Sequence, residues 1–96
     1  MKSEYQNEII DKVRRLRQEK RYSQAEIAAL LGISEGQMGN IESPRTAYKY
    51  TLEHLYKICR EFRFPIDQLF LEDEDYERAD DIINILIAKI VRYERK

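Results

Sequence analysis

The sequence predicts an all-α protein of five short helices followed by a C-terminal helix. Apolar residues recur at helical spacing, and polar capping residues precede the strongest helical segments. No segment alternates apolar and polar residues as a half-buried strand does. With 96 residues the chain can form one small hydrophobic core.

The first predicted helix begins after Ser3. Ser3 and Gln6 have the spacing of a capping box, in which each side chain accepts a backbone N–H of the first turn. We expect the helix to end near residues 20 to 22. Its apolar face carries Tyr5, Ile9, Val13 and Leu16.

The second and third helices are predicted from residues 23 to 42, SQAEIAALLGISEGQMGNIE. Ser23 with Glu26, and Ser34 with Gln37, are two further capping boxes, and Gly32 ends the first of these helices. Because a glycine and a new N-cap intervene, the third helix must cross the second. The inward residues are Ile27, Ala28, Leu31, Met38 and Ile41, and the outer face of the third helix carries Glu35, Gly36, Gln37, Gly39 and Asn40.

The fourth helix is predicted to begin after Thr51, with Leu52, Leu55, Cys59 and Phe62 facing inward. Proline at position 65 cannot continue a helix but suits the first turn of the next, so residues 65 to 71 should form the fifth. An acidic junction follows, and residues 76 to 94 should form one long helix. We therefore divide the chain into a domain of residues 1–71 and a C-terminal part of residues 72–96.

Residues 9 to 70 resemble the DNA-binding domain of the Xre/Cro-like helix-turn-helix family. The matching features are the Ser-Gln-x-x-Ile-Ala start at residues 23–28, the Gly-Ile-Ser turn at residues 32–34, Arg17 and Glu42. The resemblance implies a lambda-repressor-like, Cro-like fold that binds double-stranded DNA as a sequence-specific transcriptional regulator, and we expect a repressor. An alternative is an antitoxin or adaptor, in which the same scaffold serves as a protein-interaction module and the C-terminal helix binds a protein partner.

The resemblance also implies roles for individual residues. Gln24 would bind a phosphate and brace the third, recognition helix. The amides of Gln37 and Asn40 can pair with adenine, and the Glu35 carboxylate can accept a hydrogen bond from cytosine. Alternatively, Glu35 only interacts favourably with the helix dipole. Gly36 and Gly39 either let the helix backbone approach the groove closely, or reflect a helix that orders fully only on DNA, or are tolerated at exposed positions. The predicted contacts of the recognition helix are Ser34, Glu35, Gly36, Gln37 and Asn40.

The loop after the recognition helix is rich in groups that bind phosphate. It supplies two cations, three hydroxyl groups and the start of the next helix, whose dipole favours anions. An ordinary surface loop can have the same composition. The predicted phosphate contacts are Arg45, Thr46, Tyr48, Lys49 and Tyr50.

Arg17 and Glu42 form a partly buried ion pair in the family that the chain resembles. The resemblance implies that this pair fixes the end of the recognition helix to the first helix. The alternative is two independent surface charges.

Charge and composition limit the functions open to the chain. The net charge is −1, but residues 1–71 carry 12 Lys or Arg against 10 Asp or Glu, and the acidic excess lies in residues 72–96. The single histidine, His54, has no partner at catalytic or metal-binding spacing, and Cys59 lies among core positions. We therefore predict no enzyme, cofactor or metal. The chain has no run long and apolar enough for a membrane span and no apolar start, so we expect a cytoplasmic protein.

The C-terminal helix has the spacing of a heptad seam, which predicts a homodimer. The alternative is a helix folded back onto its own core. The seam positions begin at Tyr76, and the predicted dimerisation residues are Ala79, Ile82, Ile83, Leu86, Ile87, Ile90 and Tyr93.

Overall fold

The computed structural model describes residues 1–95, and every regular element in that range is helical. The predicted all-α class is therefore confirmed. The last residue of the predicted C-terminal part, Lys96, lies outside the described residues. The helices are α1 (Glu4–Glu19), α2 (Gln24–Leu31), α3 (Glu35–Glu42), α4 (Leu52–Phe62), α5 (Asp67–Phe70), α6 (Asp73–Tyr76) and α7 (Ile82–Glu94), with a 3₁₀ turn at Ala79–Asp81 before α7.

Local capping determines where the first four helices begin. Ser3, Ser23 and Thr51 each form a complete capping box with the residue three positions later. At the start of α3, Ser34 Oγ accepts the Gln37 N–H, but only this half of the predicted box is formed. Gly32 ends α2 in the left-handed region, with φ of 72°, and this turn lets α3 cross α2.

The core lies where α1 to α5 and the end of α7 meet. Its fully buried side chains come from every one of these helices and include Ile9, Val13, Ile27, Met38, Ile41, Leu55, Ile58, Leu69 and Phe70. Burial raises the pKa of the Cys59 thiol to about 11, as suits a residue packed in the core. The prediction that Leu52 faces inward is wrong, because Leu52 is the first residue of α4 and is 38% exposed. Ile58 is buried instead.

The C-terminal part is not one long helix, as predicted, but α6, a 3₁₀ turn and α7. Two contacts keep α6 folded back against its neighbours. The Asp75 carboxylate accepts from Lys89 Nζ of α7 at 2.5 Å, and the Tyr76 hydroxyl donates to Asp67 of α5 at 2.6 Å. A continuous helix would hold Asp75 about 20 Å from Lys89, so the chain must bend between Tyr76 and Ile82.

The predicted heptad residues do not share one face of α7. Leu86 and Ile90 pack against the core, and Tyr93 is 2% exposed. The outer face instead carries Ile83, Ile87 and Val91, which are 66%, 53% and 47% exposed. Ile82 is half-buried, and Ala79 lies exposed in the 3₁₀ turn. The helix therefore folds onto its own core on one side and leaves a short apolar stripe on the other.

The Tyr93 side chain explains why this helix docks intramolecularly. Its hydroxyl donates to the Tyr50 carbonyl at 2.8 Å, and its ring packs edge-on against Phe70 with centroids 6.0 Å apart. Gln6 of α1 donates to the Tyr93 carbonyl at 2.7 Å.

Among residues 1–95, no helix is both long and apolar enough to cross a bilayer.

Candidate nucleic-acid interface

The outer face of α3 is polar and open to solvent. Met38 and Ile41 are buried in the core, so the opposite face of α3 points toward solvent. This orientation follows from the i, i+3 spacing of the two apolar residues. The exposed residues of this face are Ser34, Glu35, Gly36, Gln37 and Asn40.

Glu42 at the end of α3 is held by side chains from α1 and α2. Arg17 donates to both carboxylate oxygens of Glu42, from Nε and Nη2, at 2.8 Å each. Gln24 Nε2 donates to Glu42 Oε1 at 2.8 Å. The predicted pair thus occurs as a bidentate, buried ion pair that fixes the end of α3 to the rest of the domain.

Burial alone would raise the pKa of the Glu42 carboxyl. Hydrogen bonds from Arg17 and Gln24, and the nearby Arg17 and Arg14 charges, outweigh that effect and hold its pKa below the ordinary value of a glutamate. The bond to Glu42 likewise raises the pKa of Arg17, despite the opposing effect of burial. Both partners are therefore charged at neutral pH, and neither can be removed alone without leaving a buried charge.

Arg14 also belongs to this group, which the sequence did not indicate. In the sequence, the cluster of Arg14, Arg15, Lys20 and Arg21 is typical of a solvated basic face. Instead, Arg14 Nη2 donates to the Glu42 carbonyl, and Arg14 Nε lies 3.6 Å from Glu42 Oε1. The other three side chains are exposed, as expected.

The loop of residues 43–50 presents some of its predicted phosphate groups and buries others. Arg45 and Tyr48 are exposed, and Lys49 is half-buried with its ammonium 3.5 Å from the Glu94 carbonyl. The Thr46 hydroxyl donates to the Asn40 carbonyl at 2.5 Å, which ties the loop to α3.

Tyr50 does not fit the role that the sequence indicated. It is 1% exposed, and its hydroxyl lies 3.8 Å from Met38 Sδ inside the core. The prediction that this hydroxyl binds phosphate is wrong, because a buried ring cannot reach DNA. Tyr50 instead anchors the end of the loop.

Lys2 is a residue of this region that sequence reasoning missed. It is 7% exposed, and its ammonium lies among backbone carbonyls at the end of α3 and in the following loop. Burial, together with the Arg14 charge, lowers its pKa. The sequence contains one signal for this role. A lysine just before an N-cap is unfavourable beside the positive end of its own helix dipole, so contacts with carbonyls elsewhere would stabilise it.

The single histidine of the chain belongs to a helix cap. His54 Nδ1 accepts the Thr51 N–H at 3.1 Å as part of a helix cap, and burial and the Lys57 charge lower its pKa. Across residues 1–95, no group of three His, Cys, Asp or Glu side chains could hold a metal ion.

A family model for the Cro/C1-type helix-turn-helix DNA-binding domain matches residues 12–72, which span α2, α3 and the elements that hold them. No curated protein and no solved structure gives a significant match.

Proposed function

The chain belongs to the Cro/C1-type helix-turn-helix DNA-binding family, and from this premise we propose that it is a sequence-specific transcriptional repressor. The observation that carries the proposal is the asymmetry of α3. Its outer face offers exposed amides, while its end is fixed to α1 and α2 through Glu42. A helix presented in this way can enter the major groove in one orientation.

The side chains of α3 and the next loop divide the work of binding. Gln37 and Asn40 have amides that can pair bidentately with adenine, so we assign base readout to them. Arg45, Tyr48 and Lys49 follow directly and can bind the phosphates flanking that site. Occupation of a promoter by this domain would exclude polymerase, which is the simplest route to repression. The proposed function implies a cytoplasmic protein.

We also propose that the protein acts as a homodimer through the exposed stripe of α7. The stripe is symmetric about Ile87, because Ile83 and Val91 each lie four residues from it. In an antiparallel pair, Ile83 of one copy would meet Val91 of the other. Two recognition helices about 34 Å apart could then read successive major grooves.

Charge complementarity supports the antiparallel arrangement. The start of α7 has Asp80 and Asp81 beside Arg78 and so a net negative charge. Its end has Arg92, Glu94 and Arg95 and so a net positive charge. Antiparallel pairing brings each acidic end beside a basic end, whereas parallel pairing would bring like charges together. The face therefore suits a second copy of itself.

Selection of bound sequences from a random DNA pool, repeated at two salt concentrations, tests the proposed function. We expect one enriched motif that persists at the higher salt concentration, because base contacts survive when phosphate contacts weaken. An unenriched pool at both concentrations would contradict specific DNA binding and favour the protein-interaction alternative.

Sedimentation of an Ile83→Asp, Ile87→Asp variant tests the dimer. We expect a folded monomer with much weaker binding to the selected DNA, because two charges cannot be buried in an apolar pairing face. Tyr56→Asp is the control, since Tyr56 is an exposed apolar residue of α4. A wild-type protein that sediments as a monomer at micromolar concentration would rule out pairing.

A further inference from the structure

The Lys2 ammonium lies where α3 ends and the loop begins. It is within 2.6 Å of the Ser43 carbonyl, 2.7 Å of the Tyr48 carbonyl and 3.0 Å of the Ile41 carbonyl. Longer contacts run to Thr46 Oγ1 at 3.3 Å and to the Asn40 carbonyl at 3.4 Å. One side chain thus joins α3 to both ends of the segment from Ser43 to Tyr48.

The carbonyls at the end of α3 are satisfied by groups from outside the helix. A helix leaves its last four carbonyls without intrahelical partners. Here the Asn40 carbonyl accepts from Thr46, the Ile41 carbonyl from Lys2 and the Glu42 carbonyl from Arg14. The Gly39 carbonyl accepts the Ser43 N–H. Cations are also favourable at this end of the helix dipole.

We propose that Lys2 is a positioning residue for DNA binding, which holds α3 and the loop of residues 43–48 as one preorganised surface. The inference rests on the proposed function. If the loop were not held, ordering it would cost conformational entropy at the moment of binding. Lys2 removes that cost in advance and sets the distance between the base-reading and phosphate-binding groups.

Lys2 does not act as a phosphate ligand itself. It is almost fully buried, and its three N–H donors are matched by the carbonyls of Ser43, Tyr48 and Ile41. A phosphate contact would add a counterion to the salt dependence of binding, whereas a positioning contact would not. This difference separates the two roles experimentally.

Lys12 provides a matched control on the same helix. Its ammonium donates to the Leu69 carbonyl at 3.1 Å and lies 3.3 Å from Glu72. It therefore also binds a carbonyl at the end of a short helix, in this case α5. Both of these partners lie outside α3 and the loop, yet replacement of Lys12 removes the same charge.

The test compares Lys2→Met with Lys12→Met on the DNA sequence selected from the random pool. We expect Lys2→Met to lower the affinity about tenfold, the equivalent of about 1.4 kcal/mol, with an unchanged salt slope. Lys12→Met should lower it less than about twofold. Equal losses for the two variants would overturn the proposal, as would a salt slope lowered by about one unit for Lys2→Met.

Amide hydrogen exchange of the protein without DNA supplies a second measurement. We expect Lys2→Met, but not Lys12→Met, to speed exchange at the Ser43 and Tyr48 amides, which lie in the segment that Lys2 holds. Unchanged exchange there overturns the proposal even if DNA binding falls. If the wild type selects no DNA, the proposed function fails, and the exchange rates still decide whether Lys2 fixes this segment.

A second variant covers the case in which Lys2→Met does not fold. Lys2→Arg keeps the charge, but a planar guanidinium cannot place one nitrogen among the three carbonyls. We expect it to change affinity and exchange in the same direction as Lys2→Met, by a smaller amount. Wild-type behaviour of Lys2→Arg in both measurements would overturn the requirement for this geometry.

Discussion

The two ends of α3 are held in different ways. At its N-terminal end, Ser34 caps the Gln37 N–H, and the side chains of the first turn are exposed. At its C-terminal end, the buried Glu42 carboxylate accepts from Arg17 and Gln24. The two ends of one eight-residue helix thus differ in both burial and bonding.

This difference shows how a short helix can be both well placed and open to a ligand. A helix of eight residues with two glycines is too short to be stable alone. Its position must therefore come from the core side chains and from the anchored C-terminal end. The N-terminal end is then available to contact DNA without disturbing the fold.

The largest effect should come from breaking the anchored end. Either Arg17→Ala or Glu42→Ala should lower the free energy of unfolding by about 3 to 5 kcal/mol, because each leaves the other charge buried without its partner. The double variant should lose less than the sum of the two. Urea denaturation of the four proteins in this cycle measures the coupling.

An exposed pair supplies the control for this cycle. Glu53 and Lys57 are one turn apart on α4, 3.7 Å from each other and open to solvent. Removing either should cost less than about 1 kcal/mol, because exposed pairs are screened. Small, additive effects at Arg17 and Glu42 would mean that the two ends of α3 do not differ in the way the contacts indicate.

Substitutions at the open end should act on binding more than on stability. Gln37→Ala and Asn40→Ala should each cost about 1 to 3 kcal/mol at the selected sequence and change which bases are preferred. The free energy of unfolding should hardly change, since both side chains are exposed. Titrations on selected and random DNA measure the difference.

Gln24→Ala is the comparison that makes this result specific. Gln24 braces Glu42, so its loss should weaken binding to all sequences alike. If all three variants lose equally on selected and random DNA, α3 does not read bases through Gln37 and Asn40.

The sequence predicted the local features of the domain well. Helix starts at Ser3, Ser23 and Thr51 depend on contacts three residues apart, which the sequence displays directly. The turn at Gly32 is equally local. The predicted outer face of α3 also follows from the spacing of its apolar residues.

Features that depend on distant contacts were missed. Tyr50 and Tyr93 are 43 positions apart, and their hydrogen bond assigns both to the interior. Without knowledge of that pairing, Tyr50 resembles a loop donor and Tyr93 a heptad position. Lys2 contacts carbonyls about 40 positions away, and no periodic pattern marks such a partner.

Substitutions of Gly36 and Gly39 in α3 should have the smallest effects, and they test most directly how the open end of the helix meets DNA. A Cβ atom built on Gly39 would meet nothing within 4 Å, and one on Gly36 would only touch Ser34 Oγ at 4.0 Å. Neither glycine has a positive φ; among the glycines only Gly32 does. The folded domain therefore has no packing or backbone need for glycine at these positions.

We expect Gly36→Ala and Gly39→Ala each to raise the free energy of unfolding by about 1 kcal/mol, because alanine favours a helix interior. Gly32→Ala is the control and should destabilise, since its φ of 72° strains any other residue. Thermal denaturation and DNA titration of the same variants then separate the explanations. Lower affinity in a more stable protein would mean that the α3 backbone approaches the groove closely. Higher affinity would mean that the glycines only disfavour the ordered helix that binds DNA. Equal affinity would leave the glycines as tolerated residues of an exposed face.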